Sequence, residues 1–198
     1  MTALSLAALL EASRLFELRT AIVGACAARF AGVEVKSHPG RLDGDDIAGE
    51  RNPFVTPSLN VAVVRVQGAE GRLSGHRDVP VEIAIYVVTA DQAVGEHGLV
   101  TRDELGLALC DGVLALVEDP DVARWGLTDI APPELASAGP VFTALSNEKG
   151  TAFYAVTWRQ TLYTLGHPFR PMEGAPPAGF SPYVYLPGDP PPPPGDAP

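Results

Sequence analysis

Asp43, Asp45, Asp46 and Glu50 crowd one short stretch, and by residue type they are the best candidates to hold a hard cation. Carboxylate oxygens in a loop suit Ca²⁺ or Mg²⁺, but an EF-hand loop needs an oxygen ligand at its fifth position and a glutamate at its twelfth. Ile47 and Phe54 occupy those places, so the pattern fails. A solvated acidic loop is expected, with an adventitious Ca²⁺ or Mg²⁺ contact as the alternative. His38, His76, His97 and His167 all fall in loop-like sequence, with neither one helical turn nor a zinc-finger interval between any two. Surface or loop roles are expected for them. The two cysteines, Cys26 and Cys110, each lie in an apolar helical setting that raises a thiol's pKa and suits a reduced, buried residue. There is no Gly-x-Ser-x-Gly elbow, Gly-rich phosphate loop or Cys-x-x-Cys pair. These residues give no catalytic, cofactor-binding or metal assignment. Arg65, Arg72 and Arg77 form the one local excess of positive charge in an acidic chain. Solvated loop charges or a contact with an acidic partner surface would both account for them.

The elements that must position these groups can be read from periodicity. Ser5 to Phe30 predicts one helix, stopped by Gly32, with Leu15, Leu18, Ile22, Cys26 and Phe30 as its apolar stripe. Leu6, Leu10, Phe16 and Val23 lie off that stripe, so the helix is either deep in a core or shared between subunits. Val33–Lys36 is a short strand, and residues 37–57 read as a long loop. Ser58–Val66 and Val79–Ala90 are strands joined by a Gly-punctuated connection, an antiparallel hairpin with an extended tip. Thr101 to Glu104 is a capping box opening a helix that ends at Asp119-Pro120. Its apolar positions make two stripes, one holding Leu105, Leu109, Val113 and Leu116, the other Leu107, Cys110, Leu114 and Val117. Between them Glu104, Asp111 and Glu118 form an acidic ridge, facing either solvent or an enclosed lumen.

Val122 to Leu127 reads as a turn or short helix, and Thr128 to Leu135 as an irregular strand. The closing hairpin pairs Val141–Ser146 with Thr151–Leu165 across Asn147-Glu148-Lys149-Gly150. About 15 residues is long for a strand, so Thr151–Leu165 must be paired along its length. Alternation puts Tyr154, Val156, Trp158 and Leu162 on one face, with Trp158 at a core or subunit contact. The predicted fold class is α+β: an antiparallel or mixed sheet of about four strands packed by two helices. It occupies residues 1–167, followed at 168–198 by a Pro/Gly-rich tail.

The sequence has 198 residues, is 46% hydrophobic and carries a net charge of −10, which argues against a nucleic-acid-binding surface. The apolar run Leu4–Leu10 lacks a basic segment before it and is cut by Glu11 and Arg14, so neither a leader nor a membrane span is expected.

Several stretches carry a resemblance. They are Ser37-His38-Pro39-Gly40 with Leu42, then Pro57-Ser58-Leu59-Asn60-Val61-Ala62-Val63-Val64, and Val81-Glu82-Ile83-Ala84-Ile85-Tyr86-Val87-Val88. The helix Leu105 to Val117 with Trp125, and the closing hairpin, complete the pattern. Over roughly Ser5 to Leu165 the chain resembles a family of small tail-module proteins of Mu-like phages, similar in architecture to phage tail terminators. The tail after Leu165 departs from that pattern. The resemblance implies a non-enzymatic virion protein that caps the head-proximal end of a tail tube as a ring, typically a hexamer. Its implied partners are further copies of itself, the tail tube protein, the head connector or completion protein and, in a contractile tail, the sheath protein. DNA would pass through the channel without sequence-specific binding, and assembly would take place in the host bacterial cytoplasm. Arg65, Arg72, Arg77 and Trp158 are the candidate subunit or tube contacts. A head–tail connector or adaptor is the alternative among virion proteins, and a metal-dependent hydrolase using Asp43, Asp45 and Asp46 the alternative from another class.

Overall fold

The computed structural model describes residues 5–42, 55–68, 70–71, 77–141 and 150–165. The acidic loop at 43–50, Arg72, His76, His167 and the Pro/Gly-rich segment lie outside them, as does most of the turn before Thr151. The order is α1 (Leu6–Glu11), α2 (Arg14–Arg29), β1 (Glu34–Ser37), β2 (Ser58–Val66), β3 (Glu70–Gly71) and β4 (Arg77–Ala90). Then come β5 (Gln92–Ala93), β6 (Leu99–Val100), α3 (Arg102–Glu118), β7 (Glu134–Pro140) and β8 (Thr151–Leu165).

The main sheet runs β1-β2-β4-β8-β7, with β3 adding two rungs to the outer end of β4. β1 pairs parallel to β2 and every other pairing is antiparallel, so the sheet is mixed. β4 and β8 pair in one register from Ala90 opposite Thr151 to Val79 opposite Leu162, and past a register shift Arg77 stands opposite Leu165. Pairing with β4 along nearly its whole length is what lets so long a strand hold together, because it gives the backbone donors and acceptors partners. The sheet has one strand more on its main path than the about four expected, and among the described residues there are three α-helices where two were expected.

α2 and α3 cover one face of the sheet. Leu18, Ile22 and Cys26 from α2 and Leu109, Val113 and Val117 from α3 bury against Val61, Ile83, Ile85, Val156 and Trp158. Alternation therefore assigned the faces of β8 correctly. The opposite face carries a smaller cluster of Ala62, Ala84, Tyr86, Val88 and Phe153, partly covered by Leu42.

One expectation is corrected, and one strand was not foreseen. The helix expected over Ser5–Phe30 is broken at Ala12-Ser13: the Ser13 hydroxyl accepts from Phe16 N at 3.2 Å and starts α2 afresh, as Ser5 does for α1. A serine side chain offers the backbone this alternative to continued helix. The described strand beside β8 is Glu134–Pro140, which the sequence reading did not place there; Val141 N carries the pairing on with a bond to Phe153 O at 3.0 Å, and the rest of the expected strand Val141–Ser146 lies outside the described residues. β7 is an edge strand of small residues, so it shows no alternation, and Pro140 is tolerated there because an edge leaves some donors unused.

Candidate interaction surfaces

The sequence singled out Arg65, Arg72, Arg77 and Trp158. Arg65 lies opposite Glu82 after a bulge that follows Val63, and Arg77 lies opposite Gly71 at the far end of β4. Five positions of strand separate these two levels, about 17 Å at 3.3 Å per residue, so Arg65 and Arg77 do not form one patch. Instead Arg65, Glu82, Arg159 and Glu134 stand in register across β2, β4, β8 and β7. This row alternates in sign, and opposite charges on neighbouring strands support one another modestly. Trp158 is 1% exposed, so the core, not a contact surface, is where it acts.

Trp158 leads to a residue the sequence reading missed. Gln160 is 1% exposed, and its Oε1 accepts from Trp125 Nε1 at 2.8 Å and from Trp158 Nε1 at 3.0 Å. Its Nε2 donates to Ala123 O at 2.8 Å and Ala131 O at 3.0 Å. An amide has two donors and two acceptor lone pairs, so its capacity is filled. The hub fastens the segment between α3 and β7 to the sheet, and Thr128 O in that segment accepts from Arg14 Nη2 at the start of α2. The only signal in the sequence was one polar residue on the apolar face of β8.

Most of the apolar surface left open belongs to the helices. α1 buries none of its residues: Leu6 is 80% exposed and Leu10 59%. At the corner between α1 and α2 an open cleft of about 600 Å³ is lined by Leu10, Ser13, Phe16 and Thr20, among others. The Arg19 guanidinium lies 5.8 Å from the Phe16 ring centroid. Leu99 at 76% and Leu107 at 56% exposure are further exposed leucines. Leu107 was expected on an apolar stripe of its helix; it points to solvent, between the exposed carboxylates Glu104 and Asp111.

No protein-family model and no curated protein matches this chain.

Burial pushes the Cys26 thiol up to about 12 and the Cys110 thiol to about 11, the latter helped by the Asp111 charge. Hydrogen bonds from the Thr101 hydroxyl and backbone hold the Glu104 carboxyl below its usual range. His38, expected in a surface or loop role, lies in the loop after β1 and is buried there, with its Nδ1 2.8 Å from Gly40 O and its ring edge-on to Tyr86. The Tyr86 hydroxyl accepts from Leu42 N at 3.0 Å, which holds Leu42 over the second face of the sheet. Among the described residues no cluster of His, Cys, Asp and Glu could hold a metal ion, and no helix is long and apolar enough to cross a membrane.

Proposed function

We propose that the chain is a structural virion protein, a tail terminator that caps the head-proximal end of a phage or phage-like tail tube and joins it to the head connector. The observation that carries this reading is α1, a helix that buries nothing in its own subunit and presents leucines to solvent. An apolar surface of this kind, on a subunit that already has a closed core, calls for a neighbour. The resemblance in the order of helices and strands supplies the kind of neighbour: copies of the chain in a closed ring, the tube below it and the connector above. Closure by matching cyclic symmetry is how one end of a tube is capped without further growth. A net charge of −10 agrees with a channel that DNA crosses without sticking, since negative walls repel phosphates. On this reading the protein is not an enzyme and its place is the virion tail, reached after assembly in the bacterial cytoplasm.

Particle reconstruction tests the proposal. Copies should form a ring at the head-proximal tube end, and loss of the protein should give tails of irregular length that fail to join heads. A ring found only on the head side of the joint would turn the assignment to a head–tail connector, and particles without this chain would overturn it. Arg72→Glu with Arg77→Glu tests the β3–β4 tip as a tube or subunit contact: normal tail length and head joining would remove that tip from the interface.

A further inference from the structure

The last strand of the sheet ends close to the cleft at the α1–α2 corner. Near the end of β8, Tyr163 donates its backbone N–H to Asp129 O at 2.8 Å. The adjacent Thr128 O accepts from Nη2 of Arg14, a residue that lines the cleft. Residues 166–198 follow directly on β8 and open with Gly166-His167-Pro168-Phe169-Arg170-Pro171. Between Tyr163 and Phe169 an extended chain spans about 20 Å, at 3.3–3.6 Å per residue. That is enough to cross the two hydrogen bonds, one peptide unit and one arginine side chain that separate Tyr163 from the start of α2.

We infer that this cleft is a docking groove for the chain's own C-terminal segment, with Phe169 seated on Leu10 and Phe16 and Arg170 beside Glu11. The inference does not depend on the ring reading: Leu6 and Leu9, the other exposed leucines of α1, do not line the cleft and stay open to a neighbour. Reach favours this occupant, because the segment starts beside the groove. Shape agrees: the open volume of about 600 Å³ over exposed Leu10 and Phe16 has room for one ring and its flanking prolines. Charge agrees as well. The cleft is lined by Glu11 and Glu17 beside Arg14. Glu17 is paired with Arg14 at 3.4 Å, whereas Glu11 has no ionic partner among the described residues. The arginine that follows Phe169 supplies that missing cation. Pro168 and Pro171 also bracket the anchor with the spacing of a polyproline II ligand, the kind that aromatic-lined grooves receive. Each proline fixes its own φ, so less backbone freedom is lost on docking.

Full-length variants test the docking, and none alters the sheet. Thr20→Cys with Met172→Cys puts one thiol in the cleft and one three residues past Phe169, while Cys26 and Cys110 stay buried. Mild oxidation should link the pair within one chain, seen as a monomer on a non-reducing gel with both thiol hydrogens lost by mass. Adding Phe169→Asp should slow that linkage by about tenfold or more, since tethering alone then remains. A linked dimer would overturn the inference by giving the groove to another copy's segment. Linkage at the same rate with and without Phe169→Asp would overturn it too, as chance encounter of a tethered thiol. Hydrogen exchange supplies a readout without engineered cysteines: amides 10–21 should exchange about fivefold faster or more in Phe169→Asp than in the wild type. Unchanged exchange there would refute docking. Arg170→Glu should speed the same amides, and Glu11→Arg added to it should restore slow exchange; no recovery would overturn the Arg170–Glu11 pairing.

Discussion

Replacing Gln160 by leucine keeps the side chain close in volume and removes all four of its hydrogen bonds at once. The variant strands two indole N–H groups, on Trp125 and Trp158, and two carbonyls, on Ala123 and Ala131. A buried polar group left without a partner costs about 1–3 kcal/mol, which sets an upper bound of about 4–12 kcal/mol for four. The groups are not equally trapped. Ala123, Trp125 and Ala131 are 5–7% exposed and can regain a water, whereas Trp158 at 1% cannot without opening the core. Burying the added apolar surface returns about 1–2 kcal/mol. The expected net loss is therefore about 3–5 kcal/mol, read as a lower midpoint in urea with an unchanged slope. Intrinsic fluorescence suits the measurement, because the two tryptophans in the sequence are the two indoles of the hub. A loss under about 1 kcal/mol would refute the reasoning and show that the segment between α3 and β7 does not depend on the amide.

Gly106→Ala should destabilise although alanine favours helix by about 1 kcal/mol, because the new Cβ would lie 2.5 Å from Tyr154 Cε2 and overpacking costs about 1–3 kcal/mol. Gly112→Ala meets only the half-buried Phe30 ring and should be close to neutral; equal losses at the two sites in thermal melts would contradict this. Glu104 has a lowered carboxyl pKa in the fold, so its stabilisation is present above the ordinary glutamate range and lost as pH falls through the folded value. The gap in urea midpoint between wild type and Glu104→Gln should accordingly shrink on acidification, and a gap constant with pH would count against the capping box as its source. Neither Cys26 nor Cys110 should react with a thiol reagent at pH 8 while the chain is folded, and both should react in denaturant; prompt modification of the native protein would contradict their burial.

Much of the frame was legible in the residues. Ser58–Val66 announced itself by β-branched alternation, α3 by its capping box, and the two faces of β8 by Tyr154, Val156 and Trp158 against Phe153. β7 was not read because Ala136, Ser137, Ala138 and Gly139 carry no pattern; it is held by pairing with β8. The break at Ser13 was hidden inside a continuous apolar run, where a single hydroxyl decides between one helix and two. The candidate contact residues were the least legible. Arg65 and Arg77 are close in sequence, but the strands spread them along the sheet, and register brings Arg65 to Glu82, with Arg159 on the next strand, instead. Gln160 could not be found from the sequence because its four partners come from three separate stretches of chain.

The pairing of β4 with β8 has a consequence for how the molecule is made. Every rung between them, from Ala90–Thr151 to Arg77–Leu165, closes across at least about 60 intervening residues. β2 and β4 are near neighbours in the chain and can meet early during synthesis, but β4 stays an open edge until residues 151–165 have been translated. An unpaired central strand of valines and isoleucines is a template for pairing with another nascent copy. Folding should therefore be slow and late, limited by capture of β8, with intermolecular strand exchange as its characteristic failure. For the ring assembly proposed above, completing that edge first would keep strand exchange from competing with the contacts between copies.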